Sequence, residues 1–202
     1  MWVPDGHAAY GTPVELDALG PDLASTAAAG IDRAGVVAGS SFDFAGGTRA
    51  VAWTPAGAGG RVAIDLGALA GGAPSIGFGI DAAGVVAGFS DGDGFGAAVW
   101  RPDVRGGYDA ADALPPLPGG TFAFVNGIGP GGIVVGSSNG EEPGFQHATI
   151  WLPRGGEYRP VDLSGPGGVA NASAGDFVAG TRLPPASSLT QALIWRLVGV
   201  AD

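Results

Sequence analysis

Apolar residues in this chain come in short runs broken by glycine, and three such runs recur in a fixed order. The first is a glycine-flanked turn between aliphatic positions. It reads Gly30-Ile31-Asp32-Arg33-Ala34-Gly35-Val36-Val37-Ala38-Gly39, then Gly79-Ile80-Asp81-Ala82-Ala83-Gly84-Val85-Val86-Ala87-Gly88. A third copy is Gly127-Ile128-Gly129-Pro130-Gly131-Gly132-Ile133-Val134-Val135-Gly136, and a degraded fourth runs from Ala172 to Gly180. The second run carries tryptophan, followed two residues on by proline in Trp2-Val3-Pro4, Trp53-Thr54-Pro55, Trp100-Arg101-Pro102 and Trp151-Leu152-Pro153; Trp195 lacks the proline. The third holds Leu16-Asp17, Asp65-Leu66, Asp112-Ala113-Leu114 and Asp162-Leu163. Recurrence of all three defines a tandem unit of roughly 48 residues.

Each unit reads as four short strands, a to d. Asp32 to Gly35 has Asp at the first and Gly at the last position of a type I turn. Gly129-Pro130-Gly131-Gly132 puts Pro second, where its fixed φ fits. Strands a and b therefore form a hairpin. Strand c carries the Trp and is expected to end at the following Pro, and strand d carries the Asp-Leu pair. Beside each Trp, on the opposite face of strand c, lie Ala52, Val99, Ile150 and Ile194; on the Trp face lie Val51, Ala98, Thr149 and Leu193. Both faces are largely apolar, which predicts a sheet covered on both sides.

The expected fold is all-β: a propeller-like array of four-stranded antiparallel blades. The blades fall at about 25–72, 73–120, 121–168 and 169–202. A β-solenoid is the rival, though its rungs are usually shorter. Residues 1–24 form a partial repeat, and Val14-Glu15-Leu16-Asp17 is expected to complete the last blade as its strand d. Trp2-Val3-Pro4 is then a spare strand c, as a severed preceding blade would leave, and the alternative is an open arc.

Composition narrows the class. Forty glycines and 16 prolines accompany 46% hydrophobic residues and five tryptophans. Disordered chains lack such apolar content, so glycine here punctuates a folded chain and excludes long helices. The net charge is −10, with nine Arg and no Lys. That opposes nucleic-acid binding, and no apolar run is long enough for a spanning helix. There is no cysteine, hence no thiol catalysis, disulfide or thiolate metal site. Met1–Asp5 lacks the positive start and apolar stretch of a signal peptide.

Candidate chemistry is sparse. Asp32 and Asp81 could make a carboxylate ring, but copy three has Gly129 and copy four Ser173 there, so a role inside each turn is expected. Asp91-Gly92-Asp93-Gly94 resembles half a calcium loop, and Asp91 and Asp93 are the weak metal candidates; a calcium site needs further oxygens. The corresponding loops carry Asp43, and Glu141 with Glu142. His7 and His147 are the only histidines, there is no Gly-x-Ser-x-Gly elbow, and His147 is expected at the surface. The tryptophans keep a fixed register, which assigns them to the core. Phe42, Phe44, Phe95, Phe145, Tyr108 and Tyr158 occupy irregular positions, where exposed aromatics are expected. No catalytic residue and no cofactor are assigned.

The run from Asp65 to Trp100, DLGALAGGAPSIGFGIDAAGVVAGFSDGDGFGAAVW, resembles the HAF-family extracellular repeat of bacteria. That unit joins a D-L-G-x-L-x-G-G segment, an aliphatic-Asn/Asp-x-x-G-x-V-V-G turn and an A-F-x-W strand. The resemblance covers nearly the whole chain in four registers. It implies an exported repeat protein, extracellular or at the cell surface.

The expected function is a non-enzymatic scaffold presenting loops to a protein or glycan ligand. The b–c loops at 41–48, 90–96, 138–146 and 183–190 differ between copies while the strands do not. The alternative is a carbohydrate-binding or carbohydrate-active propeller, which would bring loop acids together within about 5–9.5 Å across a cleft. An incomplete ring would leave room for self-association.

Overall fold

The computed structural model describes residues 13–70, 74–92, 96–142, 145–184 and 187–198. Trp2, His7, Asp93 and Phe95 lie outside them. The chain folds as a succession of antiparallel meanders. The first sheet holds β1 (Ser25–Ile31), β2 (Val37–Phe42), β3 (Thr48–Pro55) and β4 (Arg61–Asp65); the second β5 (Ser75–Ile80), β6 (Val86–Ser90), β7 (Gly96–Trp100) and β8 (Asp112–Ala113). The third holds β9 (Ala123–Ile128), β10 (Val134–Asn139), β11 (Gln146–Arg154) and β12 (Glu157–Pro166), and the last β13 (Gly168–Ala174), β14 (Phe177–Arg182) and β15 (Gln191–Arg196). Among the described residues there is no α-helix, and no helix long and apolar enough to cross a membrane.

One extra residue recurs in strand a of every sheet. The a–b ladder shifts register at Ala28/Gly30, Gly77/Gly79, Val125/Gly127 and Ala170/Ala172. Such a bulge bends its strand and swings a carbonyl out of line. Opposite it sit Gly39, Gly88, Gly136 and Gly180, the closing glycines of the turn motif. A Cβ at any of the four would overlap a strand-a carbonyl oxygen: that of Ala27, Ile76, Phe124 or Val169. Strands β1, β5, β9 and β13 also touch in succession. Gly30 lies at one such approach, where a Cβ would stand 3.2 Å from the Gly79 Cα.

The sheets bury their faces against one another. Ala38, Ala50 and Ala52 of the first pack on Ile80, Val86, Ala98 and Trp100 of the second, with Leu66 and Leu69 of the link between them. Ala87, Ala97 and Val99 meet Ala123, Val125, Val134 and Trp151; Val135, Ala148 and Ile150 meet Ala170, Val178 and Trp195. Both sides of strand c are thus interior in the first three sheets, as the sequence pattern predicts, but not in the last, where Ile194 is exposed. At each link a buried serine hydroxyl fastens the chain: Ser41, Ser90 and Ser138 accept the N–H of Leu19, Leu69 and Leu117 at 3.2, 2.8 and 2.9 Å.

Three expectations are corrected. Val14–Asp17 forms no strand and does not complete the last sheet, which has three strands among the described residues. Leu16 and Leu19 instead pack on Val37, Val51 and Trp53 of the first sheet, and Trp53 Nε1 donates to the Asp17 carbonyl at 2.7 Å. They take there the place that Leu66 and Leu69 take over Trp100. Proline ends strand c in the first sheet, at Pro55, as expected, but not in the third, where β11 runs one residue past Pro153. Strand b starts opposite the Trp, at Val37 and Val134, so the missing proline N–H costs no bond on that side. In copy four a two-residue turn joins Ala174 to Phe177, so Ala174, not Ser173, stands three residues past the bulge where Asp32 and Asp81 stand.

Candidate functional site

The a–b turns use their acids locally. Asp32 Oδ1 accepts the Val36 N–H at 2.8 Å, and Asp81 Oδ1 accepts those of Ala83 and Val85 at 2.9 Å. Gly84 adopts φ +83°, the left-handed conformation that favours glycine there. Pro102, two residues past Trp100, lies over it, with its Cγ 3.4 Å from where a Gly84 Cβ would stand. Pro55 and Pro153 stand likewise over Gly35 and Gly132. The Trp-x-Pro motif therefore braces the a–b turn.

Strand d adds a second brace. The Tyr108 hydroxyl donates to the Gly84 carbonyl at 2.9 Å, and the Arg61 guanidinium donates to that of Gly35. Burial, then the carboxylates of Asp32 and Asp81, push the Tyr108 phenol up to about 12. The fold keeps this phenol neutral beyond its ordinary value, so its contribution is full below about pH 10 and is lost as the pH rises towards about 12. A tyrosinate absorbance titration is expected to show one late step that Tyr108→Phe removes. A native protein whose tyrosines all ionise near pH 10 would contradict this enclosure.

Tyr158 and His147, expected at the surface, are buried. Tyr158 lies in β12, with Arg101 5.3 Å over its ring and the guanidinium paired with Asp112. His147 lies in β11 with Nδ1 2.7 Å from Asp162 Oδ2. Partial burial pushes the Asp162 carboxyl up, but hydrogen bonds from His147 and the N–H groups of Ser164 and Gly165 outweigh it and hold it below its usual value. Arg49 and Asp65 make a looser version of this pair in the first sheet, at 3.9 Å. The pair closes strand c against strand d, and among the described residues His147 Nε2 meets no partner.

The loop acids are engaged by their own backbone. Asp43 Oδ1 accepts from Ala45 and Gly47 at 2.7 and 2.8 Å, and Asp91 Oδ1 from Gly92 at 3.0 Å. Asp93, the other weak metal candidate, lies outside the described residues; among those described, no three acidic or histidine side chains gather as a metal site. Glu141 and Glu142 are exposed. Of the loop aromatics, Phe44 is 95% exposed and meets Phe42 edge to face at 6.0 Å, and Phe145 is also exposed.

A recess of about 600 Å³ lies between the third and fourth sheets at the a–b turn end, lined by Ile133, Leu152, Arg154, Asp176 and Leu197 among others. Smaller ones open beside Tyr158 and Tyr108. These recesses sit at the braced turns, away from the b–c loops that the sequence singles out. The sequence signal for them was the Trp-x-Pro proline and the residue paired opposite it, Arg61, Tyr108 or Tyr158, a partnership that only the c–d pairing reveals. No protein-family model, curated protein or solved structure matches the chain.

Proposed function

We propose that this chain is a non-enzymatic interaction scaffold: a propeller-like array of blades, exported to the cell surface or beyond, that holds dissimilar loops on a repeating frame. The observation that carries this reading is the contrast between frame and loops. The bulge and its opposed glycine recur in all four sheets, and the covered strand c in the first three. The serine fastening recurs in three. The b–c loops share no such constraint, and their acids Asp43 and Asp91 serve their own turns. A fixed frame with variable loops is the arrangement in which recognition resides. The exported location rests on the resemblance to the extracellular repeat.

A carbohydrate-binding reading is favoured by one feature, the Phe42–Phe44 pair standing out on the β2–β3 loop. Aromatic faces of this kind stack on apolar surfaces of ligands. Protein and glycan arrays probed with the purified chain, beside a hydrolase panel, test both. The expected result is binding without turnover, lost in Phe44→Ser with the melting temperature unchanged. Turnover of any sugar would overturn the scaffold reading.

A further inference from the structure

We propose that this chain associates head to tail with a second copy of itself, the outer face of the last sheet of one copy covering the open face of the first sheet of the next. The argument does not depend on what the loops bind.

Every internal seam has the same two halves. The trailing half is the face of a sheet turned towards the next sheet in the chain: Ala38, Ala50 and Ala52; Ala87, Ala97 and Val99; Val135, Ala148 and Ile150. All nine are at most 1% exposed. The leading half is the Trp-bearing face of the following sheet.

Register identifies the fourth trailing half. Ala179 pairs with Ile194 as Ala38 pairs with Ala52, and Thr181 pairs with Ala192 as Ser40 pairs with Ala50. Phe177 takes the place of Val36, Val85 and Ile133, which pack into the three internal seams. Yet among the described residues this face is open apart from the Arg196 guanidinium, 5.9 Å over the Phe177 ring: Ile194 is 70% exposed and Phe177 is exposed as well. Trp195, on the opposite side of β15, packs towards the third sheet, so the exposed side is the one a following sheet would occupy.

The first sheet shows the complementary deficit. Trp100 is covered twice, by Leu66 and Leu69 of the link and by the alanines of the preceding sheet. Trp53 has the first kind of cover, from Leu16 and Leu19. Trp53 itself is buried, but beside it the face of the sheet opens as a groove of about 440 Å³, lined by Val14, Leu16, Ala28, Ala29, Ile31 and Arg61 among others. Ile31 is 65% exposed, whereas Ile80 at the same place in the second sheet is buried in a seam. The two open faces are thus the two halves of a seam this chain already builds three times.

Among the described residues the chain does not join them internally: substantial contacts link each sheet to its neighbour in sequence, and none links the last sheet to the first. A second copy supplies the missing half in each direction. The contact is heterologous, so it closes into a ring or continues as an open chain according to its rotation. Contiguous exposed apolar faces of this sort mark association surfaces.

The test uses two variants, one on each face, in the full chain. Light scattering after size exclusion is expected to give at least twice the monomer mass for the parent at high micromolar concentration. Ile194→Asp and Ile31→Asp, each with an unchanged circular dichroism spectrum, are expected to run as monomers. Mixed together they are expected to form a one-to-one dimer that grows no further, because each retains the face the other lacks. A monomeric parent, including one closed on itself, overturns the proposal. So does association that survives in either variant, or failure of the mixture to dimerise.

Discussion

Gly88→Ala is expected to abolish the cooperative unfolding transition of the second sheet or to lower stability by at least about 3 kcal/mol, at the upper end of overpacking costs. The cause is steric. Gly88 has no left-handed φ, so alanine is conformationally acceptable there. Its Cβ, however, would overlap the Ile76 carbonyl oxygen and stand 3.0 Å from both the Ile76 carbonyl carbon and the Gly77 Cα. All three are backbone atoms of the paired strand, fixed by the ladder on either side of the bulge. Relief requires separating β5 from β6, and β6 holds the centre of its sheet. The same overlap exists at Gly39, Gly136 and Gly180, so the effect should recur at each. Gly57→Ala is the control: a Cβ there meets nothing within 4 Å and φ is not positive. Its cost should stay within about 0.5 kcal/mol in urea denaturation. Equal midpoints for Gly88→Ala and Gly57→Ala would refute the steric account.

That glycine also marks how far the sequence could be read. Its recurrence was plain, but as a strand-closing marker, because a bulge is a backbone event and leaves no residue type of its own. The extra positions hold Ala29, Phe78, Asn126 and Asn171, with no residue type common to all four. What was legible came from period two: the paired faces at Ala52, Val99 and Ile150 follow from alternation alone. The turn role of Asp32 and Asp81 was legible for a similar reason, since Asx geometry is local. Burial of Tyr158 and His147 was not. Each is decided by its neighbour across strands c and d, Pro153 for the tyrosine and Asp162 for the histidine. The placement of Leu16 had a signal that went unused. Leu16 and Leu19 repeat the spacing of Leu66 with Leu69 and of Leu114 with Leu117, which belongs to the link over the next tryptophan and not to a closing strand. The recesses depend on contacts between successive units, and no single unit encodes them.

Trp100→Ala is expected to cost about 3–5 kcal/mol, as large aromatic truncations do in cores. Trp100 has no exposed surface and stands where two sheets and a link converge. Ile80, Val86 and Ala98 lie on its own sheet, Ala38, Ala50 and Ala52 on the one before, and Leu66 and Leu69 between. The alanines opposite the indole are too short to reach into the space it leaves, which favours the upper part of that range. Trp195→Ala should cost less, because Trp195 is half-buried beside a face that is open. Replacement by phenylalanine separates packing from hydrogen bonding. Trp151 Nε1 donates to the Pro115 carbonyl at 2.7 Å, whereas Trp100 Nε1 meets no acceptor among the described residues. Trp151→Phe therefore loses a bond worth about 1 kcal/mol that Trp100→Phe does not lose. Urea midpoints should rank Trp100→Phe above Trp151→Phe, with Trp100→Ala below both. If Trp100→Ala instead unfolds with the parent, the tryptophans are not the supports of the seams, and the stacking of sheets described here is wrong at its centre.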